Sequence, residues 1–305
     1  MGAGRHHAQP EADMTPVLTV LLLAAAVPPS SWITDAGGVF QRGTDGKITA
    51  VDLRASWVTD SDMPQLARMP DVKKLDLSLT RLSDRGLRAL RPAPGIEELN
   101  LSFAEQIGDE GASAIRNWKR LTRLNLRGTK ITDATLEMLA GVTSLRSLDI
   151  GYAQLTDVGL NNLTSLTNLR ELSMGGNKLT DNGLEFLRQL PQIAYLDLAG
   201  TQRTDSGLWS ITISDPGLEA IASVSDLREL HIGGTALSAN GLKKLAALSK
   251  LERLSLQGCK RIGHDAEPVL AGFTNLRWLD VHDTGLSQED IGALQKALPR
   301  CQILK

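Results

Sequence analysis

Cysteine is nearly absent from this chain: two thiols in 305 residues cannot build a disulfide framework or a four-thiolate zinc site. Aromatic residues are scarce too, 11 against 51 leucines. So lopsided an apolar set points to one small unit used many times. Neither sign of charge dominates: 33 Lys and Arg face 35 Asp and Glu, and the net charge of -2 provides no general attraction for nucleic acid or an anionic membrane. The P-loop, G-x-G-x-x-G, G-x-S-x-G, H-E-x-x-H and C-x-x-C motifs are missing, which gives an enzyme no site to stand on and calls for no cofactor and no metal.

Long apolar runs are also lacking, with one partial exception. Residues 16–27 (PVLTVLLLAAAV) are too few to span a bilayer as a helix, so no integral membrane span is expected. They have the length of a signal-peptide core, and Ala24 and Ala26 form an A-x-A pattern before Val27, Pro28 and Pro29. Residues 1–30 are therefore read as a signal-like N-terminus. Cleavage would place the protein in the periplasm, at the cell surface or outside the cell; an uncleaved segment would leave it in the cytoplasm. No cysteine follows the apolar run to carry a lipid anchor.

What is present is a repeat. The chain aligns on itself at Ile48, Val72, Ile96, Leu121, Leu145, Leu169, Ile193, Leu227, Leu251 and Leu276, with intervals of 24 or 25 residues except for 34 after Ile193. Residues 145–168 (LRSLDIGYAQLTDVGLNNLTSLTN) show the unit clearly. Leu148 and Ile150 alternate as in a short strand with one buried face, and Leu160, Leu163 and Leu166 follow at helical spacing. Between them Thr156 is placed to cap a helix, with Asp157 in its first turn. The pair recurs as Thr59-Asp60, Ser83-Asp84, Thr132-Asp133, Thr180-Asp181 and Thr204-Asp205, and these aspartates are read as helix caps. His264 falls in the same column and is read the same way, since no second ligand stands at metal spacing.

Two further columns repeat. At the strand exit stand Ser56, Thr80, Ala104, Thr129, Ala153, Asn177, Thr201, Thr235, Cys259 and Thr284, small side chains expected to point inward and bond loop amides. Cys259 is thereby a structural member of the ladder rather than a nucleophile. Gly86, Gly111, Gly159, Gly183, Gly207 and Gly241 lie in the first helical turn, where a missing Cβ permits close approach of the neighbouring coil.

The consensus L-x-x-L-x-L-x-x-T-x-[IL]-[TS]-D-x-G-L-x-x-L-x-x-L resembles the leucine-rich repeats of the ribonuclease-inhibitor-like, cysteine-containing type, as found in bacterial repeat proteins and the repeat half of F-box proteins. It covers residues 48–305, and the closing LPRCQILK resembles the usual end of such bacterial chains. The resemblance implies an α/β solenoid of about ten repeats, with a parallel sheet on the concave face and helices on the convex face. It also implies protein–protein interaction. Residues 31–47 precede the array; Asp45-Gly46 favours a tight hairpin turn, so residues 39–42 are read as an antiparallel cap with Trp32 sealing it. In the long copy, TDSGLWSITI from Thr204 and SDPGLEAIAS from Ser214 share their pattern, which reads as a duplicated helix start whose excess lies on the convex side.

Strand residues alternating with the buried leucines face the concave side. The central row reads Asp52, Asp76, Asn100, Asn125, Asp149, Ser173, Asp197, His231, Ser255 and Asp280, a polar and mildly acidic stripe. With so few aromatics, their placement is informative: Tyr195 and Trp278 join His231 and His282 beside Asp197 and Asp280 on strands seven to ten. These six form the candidate surface for a protein or peptide partner. Leu79, Phe103 and Tyr152 make a second group at earlier strand exits. Two readings of the whole follow: an exported binding scaffold, or an intracellular substrate-recognition subunit of a ubiquitin ligase of the F-box kind. For the second, the fewer than 50 residues before the first repeat leave little room for an adaptor-binding domain.

Overall fold

The computed structural model describes residues 30–93, 95–204 and 207–305; the signal-like stretch before Ser30, and Asp205, lie outside them. Strand β1 (Val39–Arg42) pairs antiparallel with β2 (Ile48–Asp52), so the first hydrophobic edge is covered by a hairpin. The turn between them is completed by Gly46 at φ +79°, a backbone that only glycine adopts freely. From β2 the sheet runs in parallel through β3 (Lys74–Asp76), β4 (Glu98–Asn100), β5 (Arg123–Asn125), β6 (Ser147–Asp149), β7 (Glu171–Ser173) and β8 (Tyr195–Asp197). A separate hairpin of β9 (Thr201–Thr204) and β10 (Gly207–Ser210) intervenes. The sheet then resumes with β11 (Glu229–His231), β12 (Arg253–Ser255), β13 (Trp278–Asp280) and β14 (Gln302–Leu304).

The register is the repeat made visible. Leu75, Leu99, Leu124, Leu148, Leu172, Leu196, Leu230, Leu254 and Leu279 stand side by side in successive strands. All are buried in one apolar core that extends from Ile33 to Cys301. Each such leucine contributes roughly 1.5–3 kcal/mol by leaving water. Because every turn buries its leucines against the next, the core is continuous and no single repeat could hold it alone. Short helices and 3-10 turns form the other layer, as in Asp133–Leu139, Asp181–Gln189 and Gln288–Ala297.

At the strand exits the inward column is real, though its chemistry differs from the expectation. The hydroxyls of Thr80, Thr129, Thr235 and Thr284 donate to the carbonyls of Leu77, Leu126, Ile232 and Val281 at 2.6–2.8 Å. These carbonyls lie just past the strand ends, and those of Leu126 and Val281 also accept from the N–H of Thr129 and Thr284, so the column serves acceptors more than amides. Asn177 does both: its Nδ2 donates to Ile150 O and Met174 O, and its Oδ1 accepts from Leu155 N at 3.2 Å. Cys259 is buried, with Sγ 3.4 Å from Ile232 O and from Thr235 Oγ1.

Thr201 does not belong to this column. It is exposed and opens β9, and the ladder slot of its repeat is filled by the buried Ile211. The backbone register proves the substitution: Thr212 N bonds to Leu179 O as Lys178 N bonds to Leu155 O one repeat earlier. The extra ten residues are therefore the β9–β10 hairpin. They sit at the strand-exit edge, where Gln202 Nε2 donates to Ala153 O at 2.6 Å, and not among the convex helices. The genuine helix start is Ser214-Asp215, its glycine is Gly217, and Gly207 is a hairpin residue at φ +118°. Strand pairing is unaffected, with Tyr195 opposite Glu229 and Asp197 opposite His231.

The helix-start aspartates also act otherwise than expected. Ser83, Thr132, Thr156 and Thr180 do cap their own helices, each side chain accepting from the amide two residues on at 3.3 Å. The aspartate beside each cap instead reaches into the next repeat. Asp109, Asp133 and Asp157 accept from both the backbone N–H and the hydroxyl of Thr132, Thr156 and Thr180 at 2.6–3.0 Å. Asp181 and Asp215 hold Ser214 and Ser238 in the same way, and Asp60 holds Ser83. Burial would raise the Asp109 carboxyl, but the bonds from Thr132 and Thr135 outweigh it and keep the group below its ordinary range. The glycine column exists for this contact: a Cβ on Gly86, Gly111, Gly159, Gly183, Gly217 or Gly241 would run into the aspartate of the preceding repeat.

At the last junction the roles reverse. His264 does not cap its helix; the cap residue is Gly263, and His264 Nδ1 lies 2.5 Å from Oδ1 of Asp290, which also accepts from Ser287. The hydrogen bond and charge of Asp290 push the imidazole above its ordinary value, and His264 and Ser287 hold Asp290 down to about 2.

Two outcomes test these junctions. Alanine normally outscores glycine inside a helix by up to about 1 kcal/mol. Gly292→Ala, whose Cβ enters open space, should raise the melting temperature accordingly. Gly159→Ala should lower it, by about 1–3 kcal/mol of overpacking against Asp133; equal shifts in the two variants would refute the close contact. The His264–Asp290 pair predicts a pH window. The histidine's share of stability is complete below its unfolded value of 6.5 and is lost as pH rises through its raised folded value; the aspartate's is complete above 3.8 and is lost as pH falls toward about 2. An NMR titration should place the His264 midpoint above 6.5, and Asp290→Asn should bring it back to the ordinary value. An unchanged midpoint in the variant would break the assignment.

Candidate functional site

The parallel strands floor a groove of about 1050 Å3 that extends from the β1–β2 hairpin to Glu229 on β11. The first and third residues of each short strand face the concave side, so the floor consists of two rows. One reads Lys74, Glu98, Arg123, Ser147, Glu171, Tyr195, Glu229, Arg253 and Trp278; the other is the row from Asp52 to Asp280 anticipated above.

Of the six candidate residues, the structure brings three rings together. Tyr195 and His231 have centroids 5.6 Å apart, and His231 and Trp278 are 6.0 Å apart, with planes inclined at 47° and 48°. His231 Nε2 lies 2.8 Å from Glu229 Oε1, and Arg253 both contacts Glu229 at 3.1 Å and stacks 4.4 Å over the Trp278 ring. Burial first, then the nearby Asp197 and Glu229, pushes the Tyr195 phenol up to about 12, so at neutral pH it is a hydroxyl donor. His282 does not join the rings. Its Nδ1 sits 2.7 Å from Oδ1 of Asp280 at the strand exit, a pair separate from the cluster. Asp197 accepts from Ser173 Oγ at 3.1 Å and from Ala199 N at 2.9 Å. Tyr195 and Asp197 line the groove; His231, Trp278, Asp280 and His282 lie beyond its end.

Sequence reasoning missed the centre of the groove. Arg127 Nη1 lies 3.6 Å from Asp149 and 3.5 Å from Ser173 Oγ, and its guanidinium stacks 4.4 Å over Tyr152. Arg123 reaches across a strand to Glu171 at 2.9 Å. Burial, with Asp197 adding to it, raises Asp149 above the usual carboxylate range despite Gly151 N and Arg127. The available signal was the presence of arginine and aspartate in outward rows of neighbouring repeats; their pairing across strands was not readable. The groove's charges are largely matched within it, as Arg54 with Asp52 and Asp76, and Lys74 with Glu98, also show. Among the described residues, no cluster of three His, Cys, Asp or Glu could hold a metal ion, and no helix is long and apolar enough to cross a membrane.

Five segments of the chain, residues 69–90, 96–115, 120–140, 143–163 and 165–187, match the family model described as Leucine Rich repeat. Among solved structures, the chain is similar to internalin InlF of Listeria monocytogenes, at 23% identity and a TM-score of 0.60, over 80% of this chain and 70% of that one. It is also similar to internalin C2 of the same organism, at 24% identity and a TM-score of 0.50, over 75% and 84% of the two chains. At such identities the likeness is one of fold. With the register carrying the matched unit on to β14, the chain folds as an α/β solenoid of leucine-rich repeats.

Proposed function

We propose that the protein is a non-enzymatic scaffold that binds a protein or an extended peptide on its concave sheet, with the contact centred on β8 to β13. The single observation behind this reading is the cluster of Tyr195, His231 and Trp278, three of the chain's few rings gathered on one open sheet surface. Rings that present a face and a polar edge at a water-exposed surface are the side chains that carry most binding energy in protein interfaces. Glu229 and Arg253 beside them supply charge of both signs, which suits a polypeptide better than a uniformly charged ligand. The T-D-x-G-L pattern supports the ribonuclease-inhibitor-like type of repeat.

With a partner captured from the native host, calorimetry on Trp278→Ala and Tyr195→Ala should show affinity weakened by about 2 kcal/mol each. Thermal stability should barely change, since both side chains lie on the open face. Unchanged affinity in both variants would move the site off this surface. The stacking of Arg253 on Trp278 is the competing use of that ring. Arg253→Ala separates the two: it leaves affinity near wild type if the ring is the anchor.

The apolar run of residues 16–27 supports export as the setting for this scaffold. N-terminal sequencing of the mature protein should then begin near Val27, and a mature chain that keeps residues 1–27 would place it in the cytoplasm.

A further inference from the structure

The strand-exit edge of the first four repeats has a pattern of its own. Two columns run side by side along it, one residue of each per repeat. The first holds Ala55, Leu79, Phe103 and Gly128, all at positive φ. The second, just after the ladder slot, holds Trp57, Arg81, Glu105 and Lys130. Trp57 is 83% exposed, Leu79 56% and Phe103 44%, which makes them three of the most exposed large apolar side chains of the described residues. Arg81, Glu105 and Lys130 are exposed, and their charged groups have no ion-pair or hydrogen-bond partner among the described residues.

Leu79 and Phe103 both sit at φ +58°, where later repeats place Gly176, Gly200, Gly234 and Gly258. A bulky residue in the left-handed region is strained, and strain of this kind persists where something else is gained. Tyr152, in the same column, is accounted for by its ring against Gly176 and Gly200 and under Arg127. Phe103 covers Gly128 in part, and Leu79 stays more than half exposed. Solvent is a poor partner for both.

The order of the residues identifies the occupant. In the first column the sizes run small, large, large, small; in the second, the charged neighbours of the centre are one cation and one anion. A sequence of this kind is complementary to itself read backwards. We propose that this edge is an interface between two copies of the chain, which meet antiparallel about a twofold axis between the second and third repeats. Leu79 then packs on Phe103 of the partner subunit, and Arg81 pairs with Glu105 of the partner subunit. Trp57 receives Lys130 of the partner subunit over its ring. Ala55 faces Gly128 of the partner subunit, which lets the edges close. The near-constant repeat spacing keeps all four pairs in step, as a twofold interface requires. The ridge is small beside the roughly 800 Å2 per partner of a standard interface, so the dimer is a reversible one of about micromolar affinity.

Sedimentation equilibrium of the full chain over about 1–300 μM should show a monomer–dimer transition. Arg81→Glu and Glu105→Arg should each weaken it about tenfold or more, because each places like charges opposite one another twice per dimer. The double variant Arg81→Glu, Glu105→Arg should restore it. Leu79→Gly with Phe103→Gly should abolish the dimer while the melting temperature holds or rises, since the strain at φ +58° is relieved. A monomer at every concentration overturns the proposal. So does a dimer that survives the glycine variants, or charge variants whose combination fails to recover it, which would place the association on another surface or leave the edge to a different partner.

Discussion

The carboxylate that crosses from one repeat to the next is the interaction on which the rest of this structure depends. Strands of three residues make few hydrogen bonds each, and the leucine core, being non-directional, would tolerate a slip of one turn against another. The bonds from Asp60 through Asp215 to the cap residue of the following helix remove that freedom. Each fixes the start of one helix relative to the next, and a charge-assisted pair to an N–H and an O–H at once is directional as well as strong. The glycine column follows from it, because the carboxylate occupies the space where a Cβ would stand. The chain interrupts this device once, at Ala239, and closes it with His264 and Asp290, so the final turn alone is tied by a pair that titrates.

How much of this was legible depends on whether a residue acts within its own repeat. Leucine spacing names the strands, their direction and the outward rows, because alternation and a fixed period leave no other register. The threonine caps were likewise local. The partner of Asp157 is 23 residues away, and a first-turn aspartate looks the same whether it serves its own helix or the next. The insertion was misplaced for a related reason: Thr204-Asp205 and Ser214-Asp215 begin equally well as helix starts. Composition distinguishes them physically. The stretch after Gly207, LWSITI, is rich in aromatic and β-branched residues; it begins in β10 and continues extended into the ladder slot at Ile211, whereas LEAIA after Gly217 is made of good helix formers and becomes a helix.

The candidate site shows the same division between row and reach. Placing Tyr195, His231 and Trp278 on one face needed only the alternation of side chains; their near approach spans one strand spacing from Tyr195 to His231 and two from His231 to Trp278. Charged pairs in the groove run across strands in either direction, Arg123 to Glu171 over two strands and Arg253 to Glu229 over one. Sequence order carries no preference between them. Which carboxylates remain unmatched by a cation is therefore a property of the folded face, and it is this that makes Asp197, bonded only to Ser173 and Ala199 among the described residues, different from Asp149.

The strand-exit column divides the solenoid lengthwise. Ala55, Leu79, Phe103 and Tyr152 stand at a backbone conformation that the same column gives to Gly128, Gly176, Gly200, Gly234 and Gly258, and to Asp283 in the last repeat. In the later half the rings are on the concave face; in the earlier half the concave face holds matched charges, and Leu79 and Phe103 are exposed on the edge. One repeat thus presents two different surfaces by exchanging residues at two positions, without altering the core or the aspartate contacts that hold the turns together. A copy of the chain seated on the early edge would leave the late concave face open, so the two proposed surfaces do not compete for the same strands.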